Sequence, residues 1–267
     1  MAGNTKALRL RIKSVTSTLQ LTKAMELVAS SKIRRANEAM LKSREYTAAI
    51  ENCINALTCD KECAKSPYMQ KREGGKTRVI VIAGDRGLAG GYNANVFRLA
   101  ATFENAEIIA IGKRATDRYD MPTVSSEYYS CTEASQLADT LCTDFAQGEF
   151  DRLAIISSRY VSVMSQEAYV REVLPLVRSE SNKGGGMIFE PDTLTVLNSA
   201  VREYVTGIIM GCVRESFACE VAARRMAMDS AGKNASQMID DLQLEYNRAR
   251  QGAITQEITE IVAGSGS

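Results

Sequence analysis

A chain of 267 residues is long enough for one or two domains with a real buried core. Its 33 Lys and Arg balance 32 Asp and Glu, so overall charge gives no case for nucleic acid or a membrane surface as partner. Histidine is absent, which removes the commonest metal ligand and the usual general base near neutral pH. The seven cysteines, an odd number, point to reduced thiols.

The first element expected is a long helix. Residues 1–45 carry ten Lys/Arg and three Glu, and glycine is missing from Asn4 to Glu73. Steps of four and three give Leu8, Ile12, Val15, Leu19, Thr22, Glu26, Ala29, Ile33, Ala36 and Met40, eight of them apolar. That is a heptad seam. A helix over residues 5–57 would be roughly 80 Å long, too long to lie within a small domain, so it needs a partner. Cys53, Cys59 and Cys63 follow, without the CxxC spacing of a zinc site.

The middle of the chain holds all four prolines and alternates in type. Strand-like runs fall at 78–83, 107–112, 123–129 and 152–157, with helix-like segments at 93–103, 113–119 and 132–147. This predicts a small parallel α/β domain, with a further strand at 169–177 and a loop at "NKGGGM". The stretch "IAGDRGLAGGYNANV" places Asp85, Arg86, Gly87, Gly90 and Gly91 between a strand and a helix. It matches neither GxxxxGK[ST] nor GxGxxG. Bare amides aided by Arg86 could cradle an anion. The favoured reading is a tight connection in which glycines supply positive φ angles.

Pro191 and Asp192 mark the start of a second long helix of about 70 residues. Its seam runs from Leu194 to Ile261, interrupted by Gly207, Gly211, Gly232 and Gly252, with a bend expected near Gly232. Pairing this seam with the first gives an antiparallel coiled coil. No apolar run approaches the about 20 residues needed to span a bilayer, which predicts a soluble protein. The carboxylate pairs Asp240/Asp241 and Glu257/Glu260 read as a solvated or partner-facing helix surface, and no catalytic constellation is evident. The division expected is 1–60, a helix; 75–190, an α/β insert; and 191–267, a helix.

"IKSVTSTLQLTKAMELVASSKIRRA", "DRGLAGGYNANVF" and "LEYNRARQGAITQEITEIVAG", with "AARRMAMDSAGKNAS", closely resemble the gamma subunit of rotary ATP synthases, in order and over essentially the whole chain. The resemblance implies a coiled-coil shaft with a Rossmann-like α/β insert, no active site and no cofactor or metal of its own. It implies as partners the alpha and beta subunits, the epsilon subunit and the membrane rotor ring of c subunits. It implies that ATP is bound by beta and that the glycine loop belongs to the insert's fold. Contacts with the ring of alpha and beta would come from Lys23, Met25, Lys32, Arg34, Arg35, Arg224, Arg250, Gln251, Thr255 and Glu257. With no transit peptide before the first helix, a bacterial origin is expected, on the cytoplasmic face of the plasma membrane. The competing readings are a small nucleotide-binding α/β protein using the glycine loop, and a coiled-coil adaptor.

Overall fold

A computed structural model describes residues 2–72, 74–178 and 189–265, and for residues 2–4, 257, 260 and 265 the backbone only. The "NKGGGM" segment therefore lies outside the described residues. Helix α1 spans Ala2–Thr58 and helix α5 spans Thr193–Ser265. Asp192 starts α5, its carboxylate accepting from the Thr195 amide at 2.8 Å. Of the ten seam positions from Leu8 to Met40, five are buried, five are half-buried and none is exposed.

Between these helices lie strands β1 (Thr77–Ile82), β2 (Glu107–Ile111), β3 (Arg152–Tyr160) and β4 (Gln166–Leu174). Helices α2 (Tyr92–Ala100), α3 (Lys113–Arg118) and α4 (Cys131–Gln147) connect them. Strand order is β2-β1-β3-β4. The first three strands are parallel, but β4 runs antiparallel to β3, correcting the all-parallel expectation. Only residues 161–165 separate β3 from β4, and so short a link permits a hairpin but no crossover.

A second correction concerns residues 123–129, which form no strand. The amides of Ser126 and Glu127 are taken up by a side chain, as described below. Helix α4 begins in a capping box, Ser130 with Glu133, and ends at Gly148 in the left-handed region.

Strand β1 is buried on both faces, as its unbroken apolar run requires. Ile80 and Ile82 face α4 (Leu141, Phe145) and the buried stripe of α5 from Leu197 to Val213. Val79 and Val81 face Val96 and Ala100 of α2 and Ala115 of α3.

The chain divides into two compact units, residues 30–224 and residues 1–29 with 225–267. In the first, α1 and α5 run antiparallel at close range. Ser43 meets Arg214, and the Cβ that Gly211 lacks would lie 2.8 Å from Thr47 Oγ1. In the second, Gly232 faces Leu19 and Thr22 at ordinary contact distance, while Gly252 has open space around it.

The helical glycines therefore differ in kind. Gly252→Ala should raise stability by up to about 1 kcal/mol, the helix-propensity gain alone. Gly211→Ala should lower it, because overpacking against the stiff, buried Thr47 costs about 1–3 kcal/mol. Thermal melting of the two variants checks this. Equal shifts would mean that the helices do not approach at Gly211.

Candidate functional site

The glycine loop leaves β1 at Ala83 and enters α2 at Tyr92. Asn93, in the first turn of α2, braces it from inside. Its Oδ1 accepts from the Gly84 amide at 2.9 Å and its Nδ2 donates to the Arg86 carbonyl at 3.3 Å. Gly90 and Leu88 take positive φ angles of 58° and 60°. The first is what glycine supplies freely; the second is an exposed leucine held in an uncommon conformation.

Three amides at the start of the loop, those of Gly84, Asp85 and Arg86, are already engaged by side chains of this chain. Glu220 of α5, only 1% exposed, accepts from the amides of Asp85 and Arg86, both at 3.3 Å. Arg224, one turn on, pairs with Glu220 at 2.5 Å and donates through Nε and Nη2 to the Gly87 carbonyl. The loop is an anion cradle, and the anion is the chain's own carboxylate. A second anion at these amides would meet a buried like charge.

Asp85 turns the other way. It accepts from Ser125 Oγ, Ser126 Oγ and the amides of Lys113, Ser126 and Glu127. Partial burial pushes its carboxyl up, but the Ser125 hydroxyl and the three amides outweigh this and hold it below the ordinary 3.8. This is why residues 123–129 are irregular: they wrap a carboxylate about 40 positions earlier in sequence instead of joining a ladder.

Further grips on α5 extend the junction. Tyr92 Oη donates to the Ser216 carbonyl at 2.9 Å, Ser216 Oγ accepts from the Ser158 amide, and Glu215 accepts from the Tyr160 amide and from Arg44. Glu215, Ser216, Cys219, Glu220 and Arg224 thus form one polar stripe that meets the ends of β1 and β3. Cys219 lies against Ala89 and Tyr92. Burial pushes the Cys142 thiol up to about 12 and that of Cys219 higher still, so both are protonated packing residues. Among the described residues, no three His, Cys, Asp or Glu side chains gather as a metal site.

The other residues singled out from sequence are spread along the helices. Lys32 pairs with Glu127, and exposed Arg34 lies 3.9 Å from Glu38. Arg35 is exposed and Met25 half-buried. Lys23 lines an open cleft of about 290 Å³ with Glu26, Asp229, Lys233 and Asp240. Arg250, Gln251 and Thr255 are exposed, Thr255 donating to the Gln251 carbonyl, while the Glu257 side chain lies outside the described part. Glu215, Ser216 and Glu220 were not singled out from sequence. One signal existed: Glu220 stands charged within the apolar run Phe217–Ala223, the position of a buried partner rather than a solvated face.

Within residues 30–224, two antiparallel helices packed on one mixed α/β insert and locked to it by a polar stripe define the class: a helical hairpin bearing an inserted α/β domain. The family model for ATP synthase matches residues 4–267. The chain is 37% identical over 298 residues to the sodium ion specific ATP synthase gamma chain of Acetobacterium woodii, covering 99% of both chains. It is 39% identical over 282 residues to the ATP synthase gamma chain of Ruminococcus albus, covering 98% of each. A chain in the Euglena gracilis mitochondrial ATP synthase, solved as OSCP/F1/c-ring, has the same fold. Its TM-score is 0.68 at 18% identity, over 98% of this chain and 94% of that one. The chain belongs to the ATP synthase gamma chain family.

Proposed function

We propose that this chain is the central shaft of an ATP synthase head, coupling ion-driven rotation of a membrane ring to ATP synthesis or hydrolysis in the surrounding ring of alpha and beta subunits. Residues 1–60 and 191–267 are the shaft helices and 75–190 the insert, which meets the epsilon subunit and the c ring. The chain has no active site; nucleotide binds at the partner subunits. It sits peripherally at the cytoplasmic face of a bacterial plasma membrane. Among the described residues no helix is long and apolar enough to cross a membrane.

One observation carries this reading. In the unit formed by residues 1–29 and 225–267, large apolar side chains are bare along both helices: Leu10, Leu21, Leu27, Leu244, Ile258 and Ile261 are all more than half exposed. No described side chain from 254 to 264 is buried. A two-helix segment with an apolar outside as well as an apolar seam needs a sleeve of other chains. An asymmetric rod in a symmetric sleeve gives each site different contacts, which is coupling free energy between rod and sites. Exposed cations such as Lys23, Arg34, Arg35 and Arg250 then make attractions worth about 1 kcal/mol or less, weak enough to break at each step.

Met25→Lys tests the contact surface. An added charge facing acidic beta segments should hold the rod by about 1 kcal/mol more, and ion transport per ATP hydrolysed should fall about fivefold with ATPase activity retained. An unchanged ratio would remove Met25 from the contact surface.

A further inference from the structure

Resemblance puts Arg224 among the side chains that reach the ring, yet its side chain is turned inward and is only 11% exposed. Its Nε and Nη2 lie 3.3 and 3.2 Å from the Gly87 carbonyl oxygen, and Nη2 lies 2.5 Å from Glu220 Oε1. Glu220 in turn holds the two amides at the start of the loop. A Cβ on Gly84 would come within 2.6 Å of the Glu220 carboxyl carbon, so the loop backbone is seated directly on this side chain. These contacts are directional and charge-assisted, unlike the apolar stripe of α5 from Leu197 to Val213, which fixes depth but not angle.

We infer that Glu220 and Arg224 form an intrachain clasp that holds the glycine loop in one position on the shaft helix, and that Arg224 serves coupling through this clasp rather than by touching the ring. The inference rests on the shaft reading for its functional half only. Arg224 is a positioning residue: it neutralises a carboxylate that would otherwise be buried alone, and it ties the far side of the turn, at Gly87, to the same helix. The loop then moves with α5 as one body when torque passes between insert and stem.

The test is a double-mutant cycle in the assembled complex with Glu220→Gln, Arg224→Gln and both together. Glutamine keeps the shape of Glu220 but presents a donor to one of two donor amides. Hydrogen exchange at the Asp85 and Arg86 amides should quicken about tenfold in each single variant, the loss expected for one charge-assisted hydrogen bond. Ion transport per ATP hydrolysed should fall about threefold in each. The double variant should be no worse than Glu220→Gln in either measure.

A lower ratio in Arg224→Gln with loop exchange unchanged would overturn the clasp, and so would effects that multiply in the double variant. If the unsubstituted complex hydrolyses ATP without moving ions, the shaft reading fails, and exchange alone then judges the clasp. Where a variant does not assemble, exchange in the free full-length chain is measured instead: faster loop exchange supports the clasp and unchanged exchange overturns it.

Discussion

Gly112→Ala should destabilise the insert by about 3–5 kcal/mol, through two mechanisms that act at once. Gly112 has φ +97°, a region that side-chain-bearing residues rarely enter. A Cβ built on it would lie 1.9 Å from the carbonyl oxygen of Ala83. That neighbour is backbone, not a pliable side-chain end. Ala83 donates to Ile111 at 2.9 Å, extending the β1–β2 ladder, so it cannot withdraw without opening the sheet. The Gly112 carbonyl also accepts from Ala115 and Thr116, starting α3. A urea titration followed by the insert's tyrosines measures the loss; one below about 1 kcal/mol would mean the β2–α3 turn is built differently.

Asp85→Asn is the second large effect. All five donors to Asp85 point at acceptor oxygens, two hydroxyls and three amides. An amide group in its place turns an NH2 toward donors on one side, leaving part-buried amides unpaired at about 1–3 kcal/mol each. Two such losses give about 2–6 kcal/mol, and residues 125–127 should loosen first.

The pH dependence has a definite sign. The folded carboxyl titrates below its ordinary 3.8, so its stabilisation is fully present above the unfolded value and fades as pH falls through the folded one. The gap between wild type and Asp85→Asn should therefore be constant from neutral pH down to about 5 and close below about 4. A gap that did not narrow at all as pH falls below about 4 would show that Asp85 stabilises by shape and not by charge.

Helices α1 and α5 were legible because their signals are local: periodic apolar positions, absent proline, a capping Asp192. Local pattern also placed β1, β2, β3 and the three short helices within a few residues. It failed where a segment's partner lies far away in sequence. Residues 123–129 look like a strand until Asp85 takes up the amides of Ser126 and Glu127. Strand β4 was visible, but its direction depended on the five-residue link before it. At the site, the loop was recognisable while its occupant was not. Glu220 is 135 positions from Asp85, and nothing in "DRGLAGG" says that the anion comes from the other helix. Nor does anything near Arg224 in sequence point to its acceptor at Gly87, which is 137 positions away.

This chain turns inside a ring of partners, and rotation can be watched. With the ring anchored to a surface and Cys53 replaced by serine, a probe on the exposed thiol of Cys131 reports the insert's motion when ATP is added. Full revolutions in one direction, stopping when ATP is exhausted, are the expected result. A stationary probe on a head that continues to hydrolyse ATP would contradict the shaft function outright.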